Sequence, residues 1–192
     1  MKNILALSFV LGSTLFSTVC LANTERKSNI SYSMPAVEVG FKWSSASLTN
    51  ADSTNQVIGF EVGGSAVFNI GDNFGIKTGL FYNERPFQSV IAGTTVTGKL
   101  TYFDVPVLLM FKFEDYAGIY LGPSLSLKLS DQLSPGNLTK INSVVVPLTF
   151  GAQFKFAPNL GADIYFETVP GNMSNEVSNS RAVGLNLMIA FD

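Results

Sequence analysis

The stretch TYFDVPVLLMFKF (101–113) alternates between two kinds of side chain, and this alternation decides the fold. One face holds only apolar residues, namely Phe103, Val105, Val107, Leu109, Phe111 and Phe113. The other face holds Tyr102, Asp104, Pro106, Leu108, Met110 and Lys112. A period of two residues is the period of a β-strand. A strand here predicts that Asp104 and Lys112 point away from the apolar face.

The same period recurs in seven other segments after Pro35. They lie at about 35–43, 55–69, 74–85, 116–129, 143–156, 160–168 and 182–191. Short connections at 71–73, 114–115 and 157–159 alternate with longer polar ones at about 45–54, 86–98, 130–142 and 169–181. This order is typical of an up-and-down meander. We predict an all-β fold, an eight-stranded antiparallel up-and-down barrel over residues 35–192. Pro106, Pro123 and Pro147 each remove a ladder hydrogen bond and predict a local break.

The N-terminus has the pattern of a secretory signal peptide. Lys2 precedes an apolar core at 4–16, and cleavage is predicted after Ala22, so residues 1–22 are excluded from the fold. Residues 23–34 form a polar lead-in. A lipoprotein cysteine at Cys20 is the alternative, although Val19 is bulky for the position before it.

The apolar face of the strands fits either lipid or a barrel interior. A soluble carrier of the lipocalin type turns that face inward around a ligand, whereas a membrane barrel turns it outward. Charged residues are only 14% of the chain, against about 25% in soluble domains. The polar face is also too poor in charge for a solvated exterior. The pattern therefore favours a transmembrane barrel.

The charges on the polar face are predicted to form a network inside the lumen. Its acids are Glu38, Glu61, Asp104, Asp163 and Glu167, and its bases are Lys42, Lys77, Arg85, Lys112, Lys128 and Lys155. Five acids against six bases nearly cancel, as buried charges require. We expect Lys42 to pair with Glu61.

Aromatic residues of the apolar face gather near the strand ends. Phe68, Phe74, Phe113, Phe156 and Phe191 fall at the short-turn end, and Phe41, Trp43, Tyr82 and Phe103 fall towards the loop end. Two aromatic girdles around an aliphatic band are typical of membrane barrels. These nine residues are the predicted membrane-interface aromatics, with Phe150 as a mid-strand exception.

The composition excludes much catalytic chemistry. The chain has no histidine and a single cysteine, Cys20, which leaves with the predicted signal peptide. Histidine-based catalysis, histidine or thiolate metal sites and cysteine nucleophiles are therefore excluded from the mature chain. We predict no catalytic residue, metal or cofactor. A net charge of −2 gives no basic surface for nucleic acid.

Two adjacent motifs carry a resemblance to a known family. LTYFDVPVLLMFKF (100–113) and YAGIYLGPSLSLKLS (116–130) resemble the outer-membrane β-barrel domain family that includes PorT-like proteins and OmpX/OmpA-like barrels. The matching positions are Tyr102, Val105, Pro106, Leu108, Leu109 and Lys112, then Tyr120, Gly122, Pro123 and Ser124. The resemblance implies an eight-stranded barrel in the outer membrane of a Gram-negative-type bacterium. The chain ends Phe191-Asp192, whereas many such barrels end on the aromatic itself.

These observations predict a non-enzymatic barrel with a closed polar lumen and four surface loops that serve envelope integrity, adhesion or interaction. Its expected partners are outer-membrane lipid, the outer-membrane assembly machinery and a protein or surface bound by the loops. Three alternatives stay open: a narrow, porin-like pore, a secreted lipocalin-like carrier and a lipid-modifying enzyme. The absence of histidine counts against the enzyme.

Overall fold

The computed structural model describes residues 31–191 except 115 and 137, and all ten elements in this part are strands. The predicted signal peptide and residues 23–30 of the predicted lead-in lie outside the described residues. No helix of the described chain is long and apolar enough to cross a membrane. The strands are β1 (Ser31–Leu48), β2 (Ser53–Asn55), β3 (Val57–Asn69), β4 (Phe74–Ile91), β5 (Thr94–Glu114), β6 (Ala117–Ser134), β7 (Val144–Val145), β8 (Leu148–Ala157), β9 (Leu160–Thr168) and β10 (Val177–Ala190).

Eight of these strands close into a ring. Neighbours along the chain pair with each other, with β2 and β7 as short additions beside β4 and β6. The ring closes between β1 and β10, which pair antiparallel from Ala36↔Ala190 to Leu48↔Val177. Closure leaves the eight strands without a free edge along the ring. The predicted eight-stranded antiparallel barrel is confirmed.

Burial alternates along the strands with the apolar face outside. In β5, Leu108 and Met110 are buried, whereas Val107 and Leu109 are 51% and 56% exposed. In β1, Glu38 and Lys42 are buried and Phe41 is 57% exposed. A soluble protein covers such an apolar surface. The barrel is therefore inverted, with polar side chains inside and apolar side chains outside.

The strands run further at the loop end than their sequence pattern predicts. Residues 86–98, predicted as a long loop, are almost entirely strand: β4 continues to Ile91 and β5 starts at Thr94. Ala92 and Gly93 make the connection with φ of 47° and 77°, which fits a two-residue hairpin of the I′ type. The polar composition of 86–98 concealed this extension, which apolar packing of Phe87 and Val96 stabilises. β1 likewise begins at Ser31, within the predicted lead-in.

The predicted prolines interrupt the ladders. Pairing between β4 and β5 stops beside Pro106 and resumes in the same register, from Thr78↔Val107 to Phe81↔Asp104. Pairing between β5 and β6 is interrupted in the same way beside Pro123. Pro147 separates β7 from β8. The breaks follow from the missing proline N–H.

Aromatic rings fill the lumen by lying over glycines of the neighbouring strand. Tyr120 pairs with Gly151 and Tyr165 pairs with Gly184. A Cβ at Gly151 or Gly184 would lie within 2.4 Å or 2.1 Å of the facing ring. The absence of a side chain at these glycines therefore makes room for two rings inside a narrow barrel.

Candidate functional site in the barrel lumen

Arg85 is the centre of the first buried charge cluster. Its Nε and Nη2 donate to the two carboxylate oxygens of Glu167 at 3.0 and 2.9 Å. Nη2 also donates to Asp104 Oδ2 at 2.7 Å, and the guanidinium lies 5.0 Å from the centroid of the Tyr102 ring. Lys42 Nζ adds a hydrogen bond to Glu167 Oε1 at 3.0 Å. The planar guanidinium thus makes the two-pronged contact that arginine forms with carboxylates.

Lys77 is the centre of the second cluster. Its Nζ donates to Asp163 Oδ2 and lies 3.1 Å from Glu38 Oε1. Tyr120 donates its hydroxyl to Asp163 Oδ1 at 2.7 Å, and Ser65 donates to Glu38 Oε1. Each carboxylate is therefore satisfied by a cation and by a neutral hydroxyl, as buried carboxylates require.

Glu61 differs from the other four carboxylates. The hydrogen bonds that reach it come from neutral groups, Asn186 Nδ2 at 2.8 Å and Tyr165 OH at 3.1 Å. The predicted pair with Lys42 is not formed at ion-pair distance, because Lys42 donates to Glu167. The stagger of the barrel brings Glu167 of β9 within 3.0 Å of the Lys42 ammonium.

Three predicted lumen cations lie outside this buried set. Lys112 is half-buried and donates to Asn69 Oδ1 at 2.7 Å. Lys128 is half-buried and pairs with Asp131 at 2.7 Å. Lys155 is half-buried near the β8–β9 turn. The fully buried set is therefore five carboxylates and three cations, which is more acidic than the predicted balance.

Several polar residues of the site carry no formal charge and are not part of the predicted charge network. Asn83 donates to Asp104 Oδ2 at 2.7 Å, and Ser126 lies 3.4 Å from Arg85 Nη2. Asn186, Tyr120 and Tyr165 complete the set. All five point inward at alternate strand positions. Their position on the polar face of the strands is the feature of the sequence that could have identified them.

Apolar clusters lie on both sides of the charges. At the loop end, ten buried residues pack together: Ala46, Leu48, Phe87, Val96, Leu100, Tyr102, Val145, Val169, Met173 and Val177. Towards the turn end, Val67, Leu108, Met110, Tyr120 and Tyr165 form a second cluster. The ionic centre is therefore held between two apolar layers within the barrel.

The predicted interface aromatics lie on the outer surface. Phe103 is half-buried, and the other eight are exposed, namely Phe41, Trp43, Phe68, Phe74, Tyr82, Phe113, Phe156 and Phe191. Tyr82 and Phe103 are cross-strand partners at the loop end. At the turn end, the rings of Phe74 and Phe111 have centroids 5.2 Å apart. The exception, Phe150, is paired directly with Phe166.

A closed antiparallel barrel with an apolar exterior and a charged, hydrogen-bonded interior defines a transmembrane β-barrel of the outer-membrane class. A model of the outer membrane protein beta-barrel domain family matches residues 11–191. The chain belongs to this family and is an outer-membrane protein. The match does not distinguish PorT-like members from others.

Solved structures that are similar to this chain share little sequence with it. Neisserial surface protein A (NspA) is 20% identical, with a TM-score of 0.55, covering 84% of this chain and 99% of NspA. Ail, the attachment invasion locus protein of Yersinia pestis, is 14% identical, with a TM-score of 0.47, and the match covers 82% of this chain and 97% of Ail. The N-terminal β-barrel domain of Pseudomonas aeruginosa OprF is 15% identical, with a TM-score of 0.40, and the match covers 81% of this chain and 97% of the OprF domain. A search of curated proteins gives no match.

Proposed function

We propose that this protein is a non-enzymatic outer-membrane barrel whose lumen conducts no ions and whose loop end is its interaction surface. The filled lumen carries the proposal. Ion pairs such as Arg85–Glu167 cross the barrel interior, and the loop-end apolar cluster lies beyond them. Eight-stranded barrels have an interior just wide enough for their own side chains. A lumen filled in this way favours a structural or interaction role over transport.

The loop end offers more exposed polar surface than the turn end. The β4–β5 hairpin tip at 92–95 is exposed, as are most residues of 49–56. The connections 135–143 and 169–176 are tied together by Asn142, whose Nδ2 donates to Asn172 O at 2.6 Å. Loops held by a rigid scaffold are common binding surfaces. We infer that these loops contact a protein or surface partner and serve envelope integrity or adhesion.

The carboxylates of the lumen serve neutralisation rather than catalysis in this proposal. Asp163 accepts from Lys77, and Glu167 accepts from Arg85 and Lys42. Among the described residues no group of three or more Asp or Glu has metal-binding geometry. Structural ion pairs account for both carboxylates without a reaction. Assembly into the membrane by the outer-membrane machinery is part of the same proposal.

Single-channel recording tests the closed lumen. Purified protein reconstituted in a planar bilayer is expected to give no conductance steps, whereas regular steps would support the pore and contradict the proposal. Heat-dependent gel mobility of the same sample shows that the barrel is folded.

Replacement of the exposed loop tips tests the interaction surface. A variant with 92–95 and 139–141 replaced by Gly and Ser is expected to keep the heat-dependent mobility shift but to lose binding of whole cells to their surface partner. A matched Gly-Ser replacement of 71–72, at the turn end, is the control and should bind normally. Equal binding by both variants would contradict a role for the loops.

A further inference from the structure

The buried charges of the lumen do not balance. Among the described residues, five carboxylates, Glu38, Glu61, Asp104, Asp163 and Glu167, face three cations, Lys42, Lys77 and Arg85. Fully ionised, this set carries a formal charge of −2. An uncompensated charge is costly in a membrane-embedded interior, so a positive group beside a carboxylate without a cation is favoured.

One of the two missing positive charges lies at Glu61, and the other is shared by four carboxylates around three cations. Each of the other four carboxylates lies within 3.1 Å of a lysine or arginine nitrogen. Glu61 instead accepts from Asn186 and Tyr165, both neutral. Its side chain lines a cavity with a volume of about 50 Å³. A cavity needs roughly 10–15 Å³ on this measure to hold one water, so this one is large enough for an ion with a water.

A second observation points to a bound cation in the same cavity. Asn83 is 1% exposed and lines the cavity, and its Oδ1 has no hydrogen-bond partner. The amide nitrogen of Asn83 is already engaged with Asp104 Oδ2, so its oxygen is directed away from that contact. Asn186, which also lines the cavity, has an unpartnered Oδ1 too. Buried polar atoms without partners are rare and call for an unseen water or ion.

We propose that this cavity binds one monovalent metal cation of the size of sodium, held by Glu61 and by the amide oxygen of Asn83. Carboxylate and amide oxygens are the ligands that hard cations prefer. A divalent ion takes several carboxylates, and no group of three acidic residues in the described chain has that geometry. One carboxylate, neutral oxygens and a small volume fit a singly charged ion with part of its water shell.

Unfolding at constant ionic strength tests the site. The full chain in lipid vesicles is unfolded with urea in chloride buffers where sodium replaces choline. If sodium binds the folded barrel and not the unfolded chain, the equilibrium constant of unfolding falls about tenfold at a sodium concentration ten times the dissociation constant. The midpoint is expected to rise with sodium and to saturate. The variant E61Q is expected to lose this response, whereas E84Q, which removes an outer-surface carboxylate paired with Lys99, keeps it.

Three results would overturn the proposal. The first is a wild-type unfolding midpoint that is the same in sodium and in choline. A midpoint that changes with pH alone belongs here too, because proton uptake by Glu61 predicts it. The second is a sodium response that E61Q retains. The third is a response to micromolar calcium in place of sodium. If E61Q does not fold, ²³Na relaxation of the wild-type barrel decides, because a bound ion gives saturable line broadening and its absence contradicts the site.

Discussion

Arg85 and Glu167 form a two-pronged ion pair across the barrel, although 82 residues separate them in the chain. Arg85 lies on β4 and Glu167 on β9, which are four strands apart in the ring of eight. The pair therefore joins opposite walls of the lumen. A contact of this kind links strands that share no backbone hydrogen bonds, and it exists only when the ring is closed.

Loss of Arg85 is expected to destabilise the barrel strongly. R85M leaves Asp104 and Glu167 buried without their shared cation, and removal of one partner from a buried pair costs about 3–5 kcal/mol. Urea unfolding in lipid vesicles measures the change in the free energy of unfolding. K99M is the matched control, because the half-exposed Lys99–Glu84 pair is worth about 0–1 kcal/mol. Similar losses in both variants would show that the lumen pair is not buried as described.

An added methyl group at Gly151 is expected to displace the Tyr120 ring. A Cβ at this position would lie 2.4 Å from Tyr120 Cζ and from its hydroxyl oxygen. G151A should therefore weaken the Tyr120–Asp163 hydrogen bond and shift the near-ultraviolet circular dichroism of the tyrosines. G71A is the control, since a Cβ there meets nothing within 4 Å. Unchanged spectra in G151A would contradict the ring-over-glycine packing.

An arginine on the outer surface is expected to destabilise the barrel in a depth-dependent way. Leu109 faces outward on β5 between the predicted girdle residues Phe103 and Phe113, whereas Ile70 faces outward at the β3–β4 turn. L109R should cost about 2–4 kcal/mol and I70R about 0–1 kcal/mol, because only the first site lies deep in the hydrocarbon. Unfolding in vesicles gives both values. Equal costs at the two positions would contradict the proposed depth of β5.

Glu176 is expected to make the contact between two loops dependent on pH. A hydrogen bond from the Thr139 hydroxyl lowers the pKa of Glu176 below its usual 4.5, and the Thr139 backbone N–H and the Ser174 hydroxyl act in the same direction. A lowered pKa in the folded state means that the contact is intact above pH 4.5 and is lost as the pH falls below it. Amide hydrogen exchange at 139–142 should accelerate in that range.

Two variants check the role of this carboxylate. E176Q is expected to exchange quickly at every pH, and E114Q, at the opposite end of the barrel, is expected to behave like the wild type. A pH dependence that survives in E176Q would assign it to another group.

Strand periodicity predicted which residues share a face, because that property depends on a residue's parity alone. The low charge of the polar face then predicted that this face points inward. Glu38, Lys42 and Asp104 lie inside for this reason. Pairing across the lumen depends on the stagger of the closed sheet, which no local pattern contains. Lys42 therefore meets Glu167 and not Glu61. The contacts of the neutral residues Asn83 and Asn186 were not predicted, because they depend on which carboxylates lie beside them.

The loop end was harder to predict because its strands lose the lipid-facing pattern. Residues 86–98 rise beyond the predicted aromatic girdle, and their outward positions hold polar side chains such as Gln88 and Thr97. The inward positions of Phe87 and Val96 retain the apolar signal. The composition of this segment is therefore typical of a loop, although the pairing of β4 with β5 continues to Ile91↔Thr94.

Site-directed spin labelling of β5 tests the central claim, that the apolar face meets lipid and the polar face meets the lumen, most directly. Single cysteines at 107, 108, 109, 110 and 111 in the chain without Cys20 are labelled, and the barrel is reconstituted in vesicles. Collision with dissolved oxygen, which concentrates in lipid, is expected to be high at 107, 109 and 111 and low at 108 and 110. A profile without this alternation, or with high values at 108 and 110, would contradict the account.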